Sequence, residues 1–171
     1  MGDIHQFNNV ADYLPILNSV IITDIFVILL LIFGAIKSKV LQTWYRRLTL
    51  SAVIADVLII VLGIILTRFL YPYLFSKYNL LTFLLLAVLI QMTHDILFYF
   101  FSMAVQRGQS KILDIFKDYG KEKGSSAIVA DSLMMISSIL IASYLKGKTL
   151  NSNIIILICS IYLVPYMLYT V

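Results

Sequence analysis

The chain has 171 residues and a formal net charge of +4 at neutral pH, with 61% hydrophobic and only 13% charged residues. A soluble domain carries about 25% charged and about 45–50% apolar residues, and one core of this size cannot hide such an excess. The composition excludes a soluble enzyme and a disordered chain and leaves an integral membrane protein. The single cysteine, Cys159, excludes an intramolecular disulfide and a cysteine-based metal site.

Residues 1–13 carry Asp3 and Asp12 but no Lys or Arg. A secretory signal needs a basic n-region, so the apolar segment that follows is expected to be retained. Crossing a hydrocarbon core of about 30 Å takes about 20 mostly apolar residues. Four segments meet this: 14–36, 48–70, 80–105 and 126–145. A fifth, 153–169, is shorter and holds Pro165, which removes a helical hydrogen bond and predicts a kink.

The basic residues fall between the spans. Segment 37–47 holds Lys37, Lys39, Arg46 and Arg47, and segment 106–125 holds Arg107, Lys111, Lys117, Lys121 and Lys123. The other side has Arg68, Lys77, Lys146 and Lys148. The positive-inside rule then puts the N-terminus outside and the C-terminus on the cytoplasmic side. The nine residues on the richer side are candidates for contact with anionic head groups or a partner protein. No nucleic-acid partner is expected. Trp44, Tyr45, Tyr71, Tyr73, Tyr78 and Tyr144 lie near span ends, where an aromatic belt belongs. Within 111–122, Ile112, Ile115, Phe116 and Tyr119 recur at helical spacing opposite Lys111, Asp114, Lys117, Asp118, Lys121 and Glu122. That pattern predicts one amphipathic helix lying in the interface.

The sequence repeats itself. Ser51-Ala-Val-Ile-Ala-Asp56 matches Ser126-Ala-Ile-Val-Ala-Asp131, and Ser38-Lys-Val-Leu41 matches Ser110-Lys-Ile-Leu113. Trp44 corresponds to Phe116, and Asp24-Ile-Phe26 to Asp95-Ile-Leu97. Matches that keep their order and spacing predict a duplication: hairpin 14–70, hairpin 80–145 and a fifth helix at 153–169. Both copies start on the same side, so the repeats are expected to be parallel.

Asp24, Asp56, Asp95 and Asp131 each sit inside a span, where insertion of a charge costs about 2.5–3.5 kcal/mol. At 1.5 Å per residue, Asp56, Asp95 and Asp131 lie about 8–12 Å inside the basic edge, with Asp24 nearer the centre. Gln91 and His94 fall within a turn of Asp95. Two readings stay open for this cluster. It is a proton or cation site, with His94 exchanging protons, or it is hydrogen-bonding glue between helices. The stripes Ala52, Asp56, Gly63, Thr67 and Ala127, Asp131, Ser138, Ala142 favour close helix packing and hence glue. No nucleophile elbow, phosphate loop or metalloprotease helix is present, and two histidines do not make a His-rich metal site. Neither an enzyme nor a cofactor or metal is expected.

Several of these residues resemble a family: Trp44-Tyr45, Ala52-Val-Ile-Ala-Asp56 with Gly63, Tyr71-Pro72, and Gln91-x-x-His94-Asp95 with Phe98. Asp114-x-Phe116-Lys117-x-Tyr119 with Glu122, and Ala127-Ile-Val-Ala-Asp131, belong to the same pattern. Over about 44–145 the chain resembles a multi-span membrane protein of nucleocytoplasmic large DNA viruses of algae and protists. The resemblance implies a virion protein of the internal lipid layer beneath the capsid, and names no catalytic residue. The expectation is therefore an all-α membrane bundle of two tandem hairpins, a fifth helix and one interfacial helix. It would be a structural component of that membrane, contacting capsid or other virion membrane proteins and a second copy of itself. The alternative is a small proton- or cation-coupled transporter or channel.

Overall fold

The computed structural model describes residues 2–171. It is all-α, with no strand among the described residues. Five helices are long and apolar enough to cross a membrane: α1 (Tyr13–Ile32), α3 (Leu50–Leu74), α4 (Leu80–Ala104), α6 (Ser125–Leu145) and α7 (Leu150–Leu168). Two short helices, α2 (Lys39–Leu48) and α5 (Lys111–Lys123), precede α3 and α6. The protein is an integral membrane protein of five spans.

Each span is apolar all round, so packing selects its inner face by side-chain size and polarity rather than by an amphipathic stripe. α1 is the centre of the bundle and its most buried span. It packs most closely on α6, then on α7 and α3, while α4 bridges α6 and α3. Small hydroxyls and amides make the ties between spans. Ser138 donates to Thr23 at 3.1 Å, and Asn18 donates to the Asn153 carbonyl at 2.8 Å. Gly63 lets α3 approach Met135: a Cβ there would stand 2.6 Å from the Met135 methyl.

α7 continues through Pro165 and stops at Leu168, three residues on. The proline leaves the Ile161 carbonyl without its i→i−4 partner. Pro72 sits likewise two residues before the end of α3.

Segment 37–47 is not simply a loop, and the expectation of a single interfacial helix was one short. Leu41, Trp44, Tyr45 and Leu48 share one face of α2, with the i, i+3, i+4, i+7 spacing of an amphipathic helix. The two short helices begin and end alike. The Ser38 hydroxyl accepts from the Leu41 N–H at 3.1 Å, and the Ser110 hydroxyl from the Leu113 N–H at 3.4 Å. Each ends on one residue of positive φ before its span: Thr49 (φ 48°, ψ −122°) and Gly124 (φ 52°, ψ −131°).

α2 and α5 lie against each other as a plate over one end of the bundle. The Val40 N–H donates to Glu122 at 3.1 Å, Lys123 Nζ donates to the Lys37 carbonyl at 2.9 Å, and the Trp44 and Phe116 rings meet edge-on at 4.8 Å. The Ser38 hydroxyl and the Val40 N–H beside Glu122 hold its carboxyl below the usual range. The C-terminus reaches this end, where Arg46 Nε donates to the Val171 carbonyl at 2.8 Å.

The opposite end is closed by the N-terminal segment. The Gly2 N–H donates to the Ser143 carbonyl at 2.8 Å, and His5 stacks on Tyr78 at 4.9 Å. Asp12, 1% exposed, lies 3.2 Å from Arg68 and 3.0 Å from Lys146. Arg68 is fully buried. It also donates to the Gln6 and Asn9 carbonyls and lies over the Tyr13 ring.

Candidate functional site

Beneath the plate is a cavity of about 800 Å³. α1, α3, α4 and α6 supply its walls, and α2 and α5 its cover. Most of the lining is aliphatic and aromatic. Asp56, Gln91, His94, Asp95, Tyr119 and Asp131 give it one polar region. Of the six residues expected to cluster within the membrane, the structure gathers five in one cavity wall. The sixth, Asp24, is fully buried and accepts a hydrogen bond at 3.0 Å from Tyr45, whose ring is part of the wall. Asp24 is thus joined to the plate end rather than to the middle of the bundle.

The four carboxylates divide between the two matching stretches of sequence. Asp24 and Asp56 are both held by α2: Tyr45 donates to Asp24, and the Trp44 indole N–H donates to Asp56 at 2.8 Å. Burial and the two carboxylates beside it push the Tyr45 hydroxyl above its usual range, so it stays a donor. Asp95 and Asp131 occupy the matching positions of the second half, but α5 carries Phe116 and Lys117 where α2 has Trp44 and Tyr45. Phenylalanine has no donor. Lys117 is 4% exposed and turns away to the Val105 carbonyl, 2.5 Å from its Nζ.

Asp95 is consequently served from its own helix, by Gln91 Nε2 at 2.8 Å and His94 Nδ1 at 3.2 Å. Its second oxygen is buried without a partner. Asp131 makes no hydrogen bond among the described residues, while the Tyr119 hydroxyl is pushed up by burial and by Asp131, Asp56 and Asp95 nearby. None of the four aspartates bonds to another span. The polar ties between spans belong to Asn18, Asn153, Thr23 and Ser138 instead, together with a bond between Tyr71 and Thr82 at 2.7 Å. The aspartates therefore tie helices where α2 meets α1 and α3, and make no hydrogen bond from span to span.

The basic residues expected at the membrane surface also divide. Lys37, Lys39, Arg46, Arg47, Arg107, Lys111 and Lys121 are exposed. Arg107 pairs with Asp118 at 2.5 Å, which holds the Asp118 carboxyl below its usual range. Lys117 is buried and Lys123 is tied to Lys37, so neither is free for a partner. The cluster of Asp12, Arg68 and Lys146 at the far end was not anticipated. Its members are 56 and 134 residues apart in sequence. The available signal was their shared level: Asp12 just precedes one span, Arg68 lies near the end of another, and Lys146 just follows a third.

No group of three or more His, Cys, Asp or Glu residues could hold a metal ion among the described residues. No known protein family, characterised protein or solved structure matches the chain.

Proposed function

We propose that this chain is a structural integral membrane protein, and that the α2–α5 plate is the face it turns to an acidic protein layer lying against that membrane. The observation that carries this reading is the plate itself. Hydrogen bonds and a ring contact fix two short helices into one unit at one end of the bundle, and that end exposes Lys37, Lys39, Arg46, Arg47, Arg107, Lys111 and Lys121. Positive residues in short connections orient a membrane protein wherever they sit. A rigid, laterally extended positive surface does more, because it pre-pays the ordering cost of docking and steers an acidic partner towards it. In the setting that the sequence resemblance implies, the membrane is the internal layer of a large DNA virus particle and the partner a capsid-side protein. The N-terminus then lies on the far side, and no catalysis is involved.

The test is quantitative mass spectrometry of gradient-purified particles before and after detergent extraction. Many copies per particle, released with the lipid, support the reading; absence from particles rejects it. Reversing four charges (K39E, R46E, R47E, K111E) is expected to leave membrane insertion intact and abolish incorporation.

A second reading has its own observation. Asp95 and Asp131 line one cavity and bond to no other span, as residues of a proton or cation path do. It predicts flux across liposomes that Asp95→Asn or Asp131→Asn abolishes. An inert reconstituted protein removes it.

A further inference from the structure

We propose that the cavity beneath the plate is a binding site for a single-chain amphiphile with a primary ammonium head. The head sits between Asp95 and Asp131, and the alkyl chain lies along the apolar wall.

The argument starts from what the duplication left unmatched. In the first half, Trp44 and Tyr45 donate to Asp56 and Asp24, and the one carboxylate oxygen left buried without a partner there, the second of Asp24, lies outside the cavity lining. In the second half, the same two α5 positions hold Phe116 and Lys117, and neither reaches Asp95 or Asp131. Three acceptors are left without a donor: the second Asp95 oxygen, which is buried, the Asp131 carboxyl, and the Gln91 carbonyl. Gln91 is 2% exposed, lines the cavity, and gives its only hydrogen bond through the amide nitrogen. The buried Asp95 oxygen is the costly one, and such a group is retained where something else satisfies it; the other two acceptors face the same cavity. The one lysine in the lining, Lys123, donates to the Lys37 carbonyl and to none of these acceptors.

The shape selects the ligand class. A bare metal ion is disfavoured, because no three metal-ligating side chains converge on one point among the described residues. A small hydrophilic cation would leave most of the lining unmatched. Phe26, Val27, Leu30, Ile59, Met134 and Leu140 give a continuous apolar surface. A volume of about 800 Å³ falls in the range of about 300–1,000 Å³ typical of small-molecule sites. An ammonium group supplies three N–H donors and no acceptor, the complement of three unpaired acceptors. Phe26 and Leu133 line the cavity yet are more than half exposed, so the cavity is open to the outside of the chain at membrane depth, where an amphiphile arrives.

Trp44 is the only tryptophan and lines the cavity, so its fluorescence reports occupancy directly. The experiment titrates the full chain, in neutral detergent, with a long-chain primary amine brominated along its alkyl chain. Saturable quenching is expected, reversed by the unbrominated amine. The alcohol and the carboxylic acid of equal chain length should compete at least tenfold more weakly. The double variant D95N/D131N should weaken the amine at least tenfold and leave the alcohol unchanged. Equal competition by amine and alcohol, quenching that does not saturate, or undiminished amine binding by the double variant would each overturn the proposal. Should the double variant fail to fold, the head-group comparison on the unmodified chain still decides.

Discussion

Replacing Asp12 by alanine tests whether the N-terminal segment is locked to the bundle by charge. Asp12 stands 3.2 Å from Arg68 and 3.0 Å from Lys146 and is 1% exposed. The gross attraction of one such pair is about 5 kcal/mol at an effective dielectric of about 20, and desolvation offsets much of it. Removing one partner of a buried pair costs about 3–5 kcal/mol, because the other charge is stranded. Two features place D12A at the lower end. Arg68 keeps the Gln6 and Asn9 carbonyls, and Lys146 is a quarter exposed. The expected loss is about 3 kcal/mol, a factor of more than 100 in the folding equilibrium at 1.36 kcal/mol per decade. The assay is denaturant unfolding in mixed micelles followed by circular dichroism. D12N should lose less, since its amide oxygen still accepts. The double variant D12A/R68L should lose less than the sum of the two single changes, because it removes both buried charges together. A D12A loss below about 1 kcal/mol would refute the reasoning, since it matches an exposed pair.

The remaining predictions follow from single contacts. Thr49 holds a positive φ that favours glycine, which costs a β-branched residue about 1–3 kcal/mol. T49G should therefore stabilise by about 1 kcal/mol after the added chain entropy of glycine, and G124T should destabilise by about 1–3 kcal/mol; opposite signs in the same unfolding assay check both. G63A puts a Cβ 2.6 Å from the Met135 methyl. That side chain is flexible, so the cost is about 1 kcal/mol, the lower end of overpacking, and a cost near zero would mean that α3 and α6 are not in contact there. Glu122 has a lowered carboxyl pKa in the folded state, so its contribution is present above the unfolded carboxylate range and lost as pH falls through the lowered value. Protection of the Val40 amide from hydrogen exchange should hold at neutral pH and fall only at pH values below the ordinary carboxylate range. E122Q should blunt that acid dependence.

The spans were legible because length and hydropathy suffice to find them: bilayer thickness imposes a run of about 20 apolar residues, and nothing shorter competes. α2 was hidden by the same logic. Ten residues holding Lys39, Arg46 and Arg47 satisfy the positive-inside pattern of a connection, although Leu41, Trp44, Tyr45 and Leu48 already carry the helical spacing. The repeat made the correction available in principle, since Ser38 matches Ser110 and the second copy was read as a helix. The closing cluster of Asp12, Arg68 and Lys146 could not be read as a pair from spacing, because its partners meet only after α1, α3 and α6 have packed.

The polar cluster shows a subtler limit. Sequence placed Asp56, Gln91, His94, Asp95 and Asp131 at one level, and level was enough to bring them to one cavity. It did not reveal that two of the four aspartates take a donor from α2. That depends on which donors α2 and α5 offer, and hence on a helix that composition disguised. Once α2 and α5 are aligned, Trp44 against Phe116 and Tyr45 against Lys117, the difference becomes readable without coordinates. The carboxylates are the same in both halves and the donors are not. Two sequence stretches that share their acids but differ in the donors beside them give the same residue two different surroundings. Asp24 and Asp56 tie α2 to the bundle, and Asp95 and Asp131 are the pair proposed to hold an ammonium head. Substituting Asp56 should therefore loosen α2, whereas substituting Asp131 should leave the plate in place and change only what the cavity holds.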